Sequence, residues 1–462
     1  MFLSGYFLLI SYFKIHKMKK LTIIFFLTFI FQLNWAADLI VTTSGQTGTY
    51  TTLSSALVAA NSGDRILISN IITLYENDTI DKSVTILPLN SGSRFIMVGS
   101  ITVKAEANTE IRIVGMELTG EVKSISGSAD GNNLCQFYMI DCEIVGGYNI
   151  NCDVSGLSLN LMYSNMPNLS TLISFRQGKL IANNINGYFQ VLPGDNINYA
   201  DTTFIVANRI YGTSDLDSNN LINNSDHYFL IANNYFGSGI AGGKRLEIRL
   251  SNLNSSGENN IINNTMNCSS KSWGTNIVFN KNYTHNNTSA LNNILLKSSP
   301  DGLPENKHIG NGFDPIDIPL SLGPKLVRNN VFLFDYSGPK VPQSTWTGVW
   351  YNVGASGVII DSLNYLNSVP SNVTAVNIDV GSINNLGSGK QINDLDDIGE
   401  NFPKYYDINL TRNDPGTYGG PYSWDNYWNT NNGKARIYEL DAPFELPPNQ
   451  TFNIKSSASH NH

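Results

Sequence analysis

Leu180-Ile181-Ala182-Asn183-Asn184-Ile185 recurs as Ile205-Val206-Ala207-Asn208-Arg209-Ile210 and again as Leu230-Ile231-Ala232-Asn233-Asn234-Tyr235. In these copies Ala182, Ala207 and Ala232 stand 25 residues apart, as do Asn183, Asn208 and Asn233 and the glycines Gly187, Gly212 and Gly237. Looser copies follow at Ile261-Ile262-Asn263-Asn264, Leu291-Asn292-Asn293-Ile294 and Leu326-Val327-Arg328-Asn329-Asn330-Val331, at the longer steps that loops would introduce. A unit of this length is one turn of a solenoid, and the apolar-apolar-Ala-Asn core is too short and too β-branched for a helix. It reads as strand, sharp bend, strand. Asn tolerates the left-handed backbone of such a bend, and identical amides one strand spacing apart donate and accept along the stack. Asn183, Asn208 and Asn233 are therefore expected to form a ladder, with the preceding Ala letting the coil close and the Gly column marking a second bend.

This pattern resembles the right-handed parallel β-helix of the pectin-lyase-like superfamily, which is known for such ladders. The resemblance covers most of the mature chain and implies an all-β solenoid; it identifies a fold far better than an activity. A solenoid grows by adding coils, so 462 residues need no second core. Charged residues make up only 14%, and Asn, Ser, Thr, Gly and Ile are abundant, which suits stacked short strands with polar turns. The net charge of −8 argues against nucleic acid or an anionic membrane as the main partner.

Lys17, Lys19 and Lys20 precede an apolar run from Leu21 to Leu33 and then Trp35-Ala36-Ala37, which together read as a secretory signal peptide over 1–37, with Met18 an alternative start. The mature protein is then secreted, extracellular or at the cell surface, with no membrane insertion after cleavage. Residues 38–425 form the expected parallel β-helix. Residues 426–462 form a short β extension with strands at Arg436–Leu440 and Thr451–Lys455, which reads as incomplete. Cys135, Cys142, Cys152 and Cys268 match neither a zinc site nor a dense disulfide framework; they read as small buried fillers, with a Cys142 bridge to Cys135 or Cys152 the alternative.

Near the start, Leu53, Ala56, Leu57 and Ala60 fall at helical spacing, and Asn61-Ser62-Gly63-Asp64 stops that helix before the strand Arg65–Ile68. A short amphipathic helix followed by Gly-Asp-Arg-Ile resembles the N-terminal cap of many secreted β-helices, whose task is to cover the open end of the stack. Further strands are expected at Ser83–Leu87, Phe95–Val98, Ile101–Val103 and Ile111–Val114. Gly115–Leu118 and Asp141–Ile144 hold equivalent places one coil apart, so early coils use other residues at the bend. The run Asp407–Pro421 resembles the closing segment of many exported bacterial β-helix proteins; its glycines permit close backbone approach, and Arg412 is placed to pair with Asp407 or Asp414.

No Walker loop, dinucleotide fingerprint, HExxH, Ser-centred elbow or paired CxxC is present. β-Helix lyases need a group to neutralise the substrate carboxylate, a base for the adjacent proton and a groove for several sugars, whereas β-helix hydrolases use carboxylate pairs from adjacent coils. The repeat register offers one such column: Arg176, Asp201 and Asp226 lie seven residues before Asn183, Asn208 and Asn233, with Gln177, Thr202 and His227 beside them. At a spacing of about 4.8 Å like charges raise one carboxylate pKa, and His227 beside Asp226 would carry a proton near neutrality. These four (Arg176, Asp201, Asp226, His227) are the catalytic candidates; the alternative is that Arg176 simply neutralises Asp201 in a solvated turn. Lys244, Arg245 and Arg249 form the most basic stretch and would bind an anionic glycan, or else pair with Glu247. Trp346 and Trp350 lie in an insertion from Pro339 to Tyr351, the kind of loop that makes a binding face or packs over the last coils. Asp394, Asp396 and Asp397 could hold Ca²⁺ with help from carbonyls, or form a solvated acidic turn. Asn-X-Ser/Thr triplets, including the one at Asn263, arise by chance in so Asn-rich a repeat. The sequence thus points to a secreted solenoid that acts on or binds polysaccharide, with a non-catalytic cell-surface, adhesion or structural protein as the alternative.

Overall fold

The computed structural model describes residues 36–192 apart from 45, the strands and corners of the coils between 203 and 366, most of 406–428, and strands at 435–441 and 455–460. Within these the chain winds as a parallel β-solenoid, with fourteen strands in one sheet and twenty in a second. The first sheet takes one strand from each coil: Gln177–Ile181, Thr203–Val206, Phe229–Ala232, Asn259–Ile262 and Thr288–Leu291 are successive members. The second sheet takes the remainder. Asn184–Val191 pairs with Arg209–Tyr211 at one end and with Asn220–Asn224 at the other, so one strand does the work of two in the next coil.

Alternation along these strands builds the core. Ile66, Ile86, Ile113, Met139, Leu161, Leu180, Ile205, Ile231, Ile261 and Ala290 are register partners in successive coils. All are buried, forming one apolar column along the axis. Each fully buried Ile, Leu or Met in it contributes about 1.5–3 kcal/mol relative to exposure. The expected early strands are present as Asp64–Ile68, Val84–Pro88, Phe95–Val98, Ile101–Ala105 and Glu110–Val114. Glu117 and Leu118 pair with Glu143 and Ile144, as the equivalence of those two stretches required.

Helix α1 spans Leu53–Ala59 and buries Leu53, Ala56 and Leu57, the residues its spacing singled out. Thr52 is its N-cap, accepting from the Ser55 N–H at 3.1 Å. The Glu76 carboxylate accepts two further orphan donors, Leu53 N at 2.7 Å and Ser54 N at 3.1 Å. At the other end the Lys82 ammonium donates to the carbonyls of Leu57 and Ala60, both at 3.1 Å.

Cys135, Cys142 and Cys152 are buried and free, as fillers rather than a bridge. Cys135 lies in the first sheet, Cys142 at a corner and Cys152 in the second sheet. The C-terminal strands Ala435–Asp441 and Lys455–His460 pair antiparallel; the second begins where the expected strand Thr451–Lys455 ends.

Candidate functional site

The corner between the two sheets repeats with a two-residue pattern. Asp141, Tyr163, Ala182, Ala207, Asn233, Asn263 and Asn292 all have φ between 51° and 56°, in the left-handed region. The next residue turns inward, and there the ladder runs: Asn183, Asn208, Asn234, Asn264 and Asn293, all fully buried. Each ladder Oδ1 accepts both the backbone N–H and the Nδ2–H of the preceding member, as Asn208 Oδ1 does from Asn183 at 2.9 Å for both. The same pair of bonds joins Asn208 to Asn234, Asn234 to Asn264 and Asn264 to Asn293 at 2.9–3.0 Å. The expected third member was Asn233. The register steps by 26 there, with Val206 opposite Ala232, so Asn233 takes the left-handed position and Asn234 the ladder. Asn263 is likewise buried but at the left-handed position, with Asn264 in the ladder. The glycine column is also corrected: Gly187 lies inside a strand opposite Thr171, and Gly237 faces Tyr211.

At two of the left-handed positions, Asn233 and Asn263, the side-chain amide reaches a second piece of chain. Asp407–Pro421, expected as the closing segment, is part of a longer stretch, 406–428, whose described residues lie along this corner. The contacts descend coil by coil. Gly416 N–H donates to the Asn292 carbonyl at 2.8 Å, and Thr417 N–H to Thr265 Oγ1 at 3.3 Å. Asn263 Nδ2 donates to Asn413 Oδ1 at 2.9 Å, with the reverse bond at 3.2 Å. Asn233 Nδ2 donates to the carbonyls of Thr417 at 3.0 Å and Gly419 at 2.6 Å. The indole N–H of Trp424 donates to the Asn233 carbonyl, and that of Trp428 to the Ala207 carbonyl at 2.7 Å. Beneath this strap Val206, Ala207, Leu230, Ala232, Tyr235, Ile262, Leu291 and Trp424 form a second apolar cluster outside the solenoid interior. Asp407 accepts the Gly420 N–H and so fixes the strap's own turn; Arg412 and Asp414 lie outside the described residues.

On this corner stands Arg209, in register with Asn184 and Tyr235. Its guanidinium carbon is 3.6 Å from the Trp428 ring centroid and 5.1 Å from that of Trp424. Helix α2, Trp424–Tyr427, sets these two rings four residues apart on neighbouring turns, 5.8 Å between centroids. Tyr418 packs on Trp424 at 5.9 Å, and Tyr211 on Tyr235 at 6.1 Å. Burial pushes the Arg209 pKa down to about 10, against the opposing pull of Tyr211 and Tyr418, so it remains a cation at neutral pH. Burial pushes the Tyr211 hydroxyl up. Arg209 Nε is buried without a hydrogen-bond partner. A caged planar cation walled by aromatic rings can bind an anion edge-on or present ring faces to a sugar.

Of the sequence candidates, Arg176 is half-buried and its Nε donates to the Asp153 carbonyl. Its neighbour Gln177 is buried in the first sheet opposite Ser158. Asp201, Asp226, His227, Lys244, Arg245, Trp346, Trp350, Asp394, Asp396 and Asp397 lie outside the described residues, as does the side chain of Arg249, whose backbone pairs with Asn223. At the adjoining strands the expected 25-residue step holds from Lys179 to Phe204 and becomes 26 from Thr203 to Phe229. Among the described residues no three His, Cys, Asp or Glu side chains gather as a metal site. The Arg209 corner was missed in the sequence although a signal existed: Arg209 interrupts the Asn of Asn183-Asn184 and Asn233-Asn234, and Trp424 and Trp428 stand at helical spacing.

No family model, curated protein or solved structure matches the chain.

Proposed function

We propose that this protein is an exported solenoid that binds polysaccharide along its flank. The observation that carries the reading is the aromatic corner, where Trp428, Tyr211, Tyr418, Tyr422 and Tyr427 are only partly buried against the apolar cluster beside Arg209. Rings held rigidly with one face in reach of solvent suit the C–H faces of sugars, and they lose little conformational entropy on binding. The strap rings meet more than one coil, Trp424 at the Asn233 carbonyl and Trp428 at that of Ala207, which suits an extended chain better than a compact metabolite. The resemblance to pectin-lyase-like β-helices and the signal-peptide-like N-terminus agree with such a role.

The test is a panel of neutral and acidic polysaccharides, read for binding and for the ultraviolet absorbance of unsaturated lyase products. Binding is expected to at least one glycan, about tenfold weaker in Trp428→Ala, since a stacked ring contributes on the order of 1–3 kcal/mol. Failure of the protein to bind any glycan would overturn the reading. Product absorbance would add lyase chemistry; binding without product selects an adhesive or surface platform.

A further inference from the structure

Among arginines whose side chains are described, Arg65, Arg94 and Arg112 each pair with a carboxylate, and Arg176 donates to a carbonyl. Arg209 has neither among the described residues, although it is the one whose charge burial disfavours most strongly. Taking a guanidinium out of water is costly, and cation–π contacts return only part of that cost. The protein nevertheless holds it rigidly. The Arg209 backbone N–H is tied to the Asn183 carbonyl at 2.8 Å, and both flanking indoles are pinned through their own N–H groups to corner carbonyls. The Trp428 and Trp424 centroids lie 3.6 Å and 5.1 Å from the guanidinium carbon but only 5.8 Å from each other, so the rings stand at about a right angle around it rather than on opposite faces, and the residue is partly exposed.

We propose that the Arg209 guanidinium, packed against Trp424 and Trp428, is an oxyanion-binding site that takes a carboxylate, sulfate or phosphate group through its N–H donors. A bidentate oxyanion supplies the hydrogen bonds and the counter-charge that the described protein does not, in a planar fork fixed before the ligand arrives. Carrier and free anion share this chemistry, so the inference does not depend on a polysaccharide being the ligand.

The experiment titrates the full chain with sulfate, phosphate, acetate and glucuronate, following tryptophan fluorescence and the thermal transition, with chloride as the control at equal ionic strength. A saturable response to at least one oxyanion and none to chloride is expected. Arg209→Gln should weaken it at least tenfold, and Arg209→Lys, which keeps charge but loses the fork, should fall between. Identical curves for chloride and every oxyanion would overturn the site, as would an Arg209→Gln protein that titrates like the native one. If Arg209→Gln does not fold, the native oxyanion-to-chloride comparison decides alone. A stronger response to glucuronate than to acetate assigns the anion to a sugar, and the reverse to a free anion. Glycan binding with no oxyanion response would sink this site while leaving the polysaccharide reading intact.

Discussion

At each corner two adjacent residues take opposite duties, one accepting left-handed backbone and the next turning its amide into the stack. Asn208 shows what the second does: its Oδ1 takes two donors from Asn183, and its Nδ2 donates to the Leu180 carbonyl at 2.7 Å and to Asn234. Leucine would nearly match it in volume yet leave those buried groups unpaired, so Asn208→Leu should cost about 1–3 kcal/mol, read as a lower urea midpoint. A silent substitution would mean the ladder is dispensable. Asp78 offers a residue-level prediction of opposite sign. Burial first, then the neighbouring Glu76 charge, raises its pKa from 3.8 to about 6, and its Oδ2 is buried without a partner. The folded carboxyl keeps its proton to about pH 6 while the unfolded one loses it near 3.8, so the native state binds more protons between those values. Stability should therefore fall as pH rises from about 4 to 6, and Asp78→Asn should remove the decline and gain about 1–2 kcal/mol at pH 7. Denaturation of both proteins at pH 4 and pH 7 checks this; an equal native stability at the two pH values refutes the assignment.

The strap is an element made by backbone fit. Gly420 has φ 71°, and a Cβ there would stand 2.8 Å from Asn413 Nδ2 and 3.2 Å from Asn263 Oδ1. Gly420→Val should therefore separate the Asn263–Asn413 amide pair, and Trp424→Ala should remove the largest apolar anchor, a loss of about 3–5 kcal/mol. Both are expected to free 416–428 for protease cleavage while the parallel-sheet circular dichroism persists; cleavage no faster than in the native chain would show the strap is held by other means. Little of this element was legible in the sequence, and the reason is physical. Periodicity reports contacts between successive coils, so it revealed α1 through Leu53, Ala56 and Leu57 and the ladder through Asn183 and Asn208. The strap reaches Asn233 from about 190 positions away, as the Trp424–Asn233 bond shows, and no local spacing encodes that. The one-residue error at Asn233 has the same root. Asn-Asn at 233–234 fills both the outward and the inward position, and the 26-residue register step, which no spacing of identical residues shows, decides which is which.

In a solenoid each coil touches chiefly its two neighbours, so stability is close to a sum along one axis and damage stays local. The strap is the exception, because one segment spans coils from Ala207 to Asn292 and shields Val206, Leu230, Ile262 and Leu291. It couples coils that the stack alone would leave nearly independent, and it covers apolar surface that would otherwise invite association. Deleting the chain from residue 406 onward should therefore act regionally. Hydrogen-exchange protection is expected to fall in the strands between 203 and 297, and the shortened protein should self-associate. Protection from 64 to 113 should be unchanged, since toward that end the described strap residues Tyr427 and Trp428 reach no further than the cluster of Ile140, Met162, Ile181 and Ala182, on which Val114 and Tyr138 also pack. A uniform loss across all coils would show that the solenoid unfolds as one cooperative body; no loss in the 203–297 strands would show that the ladder and the central column suffice without the strap.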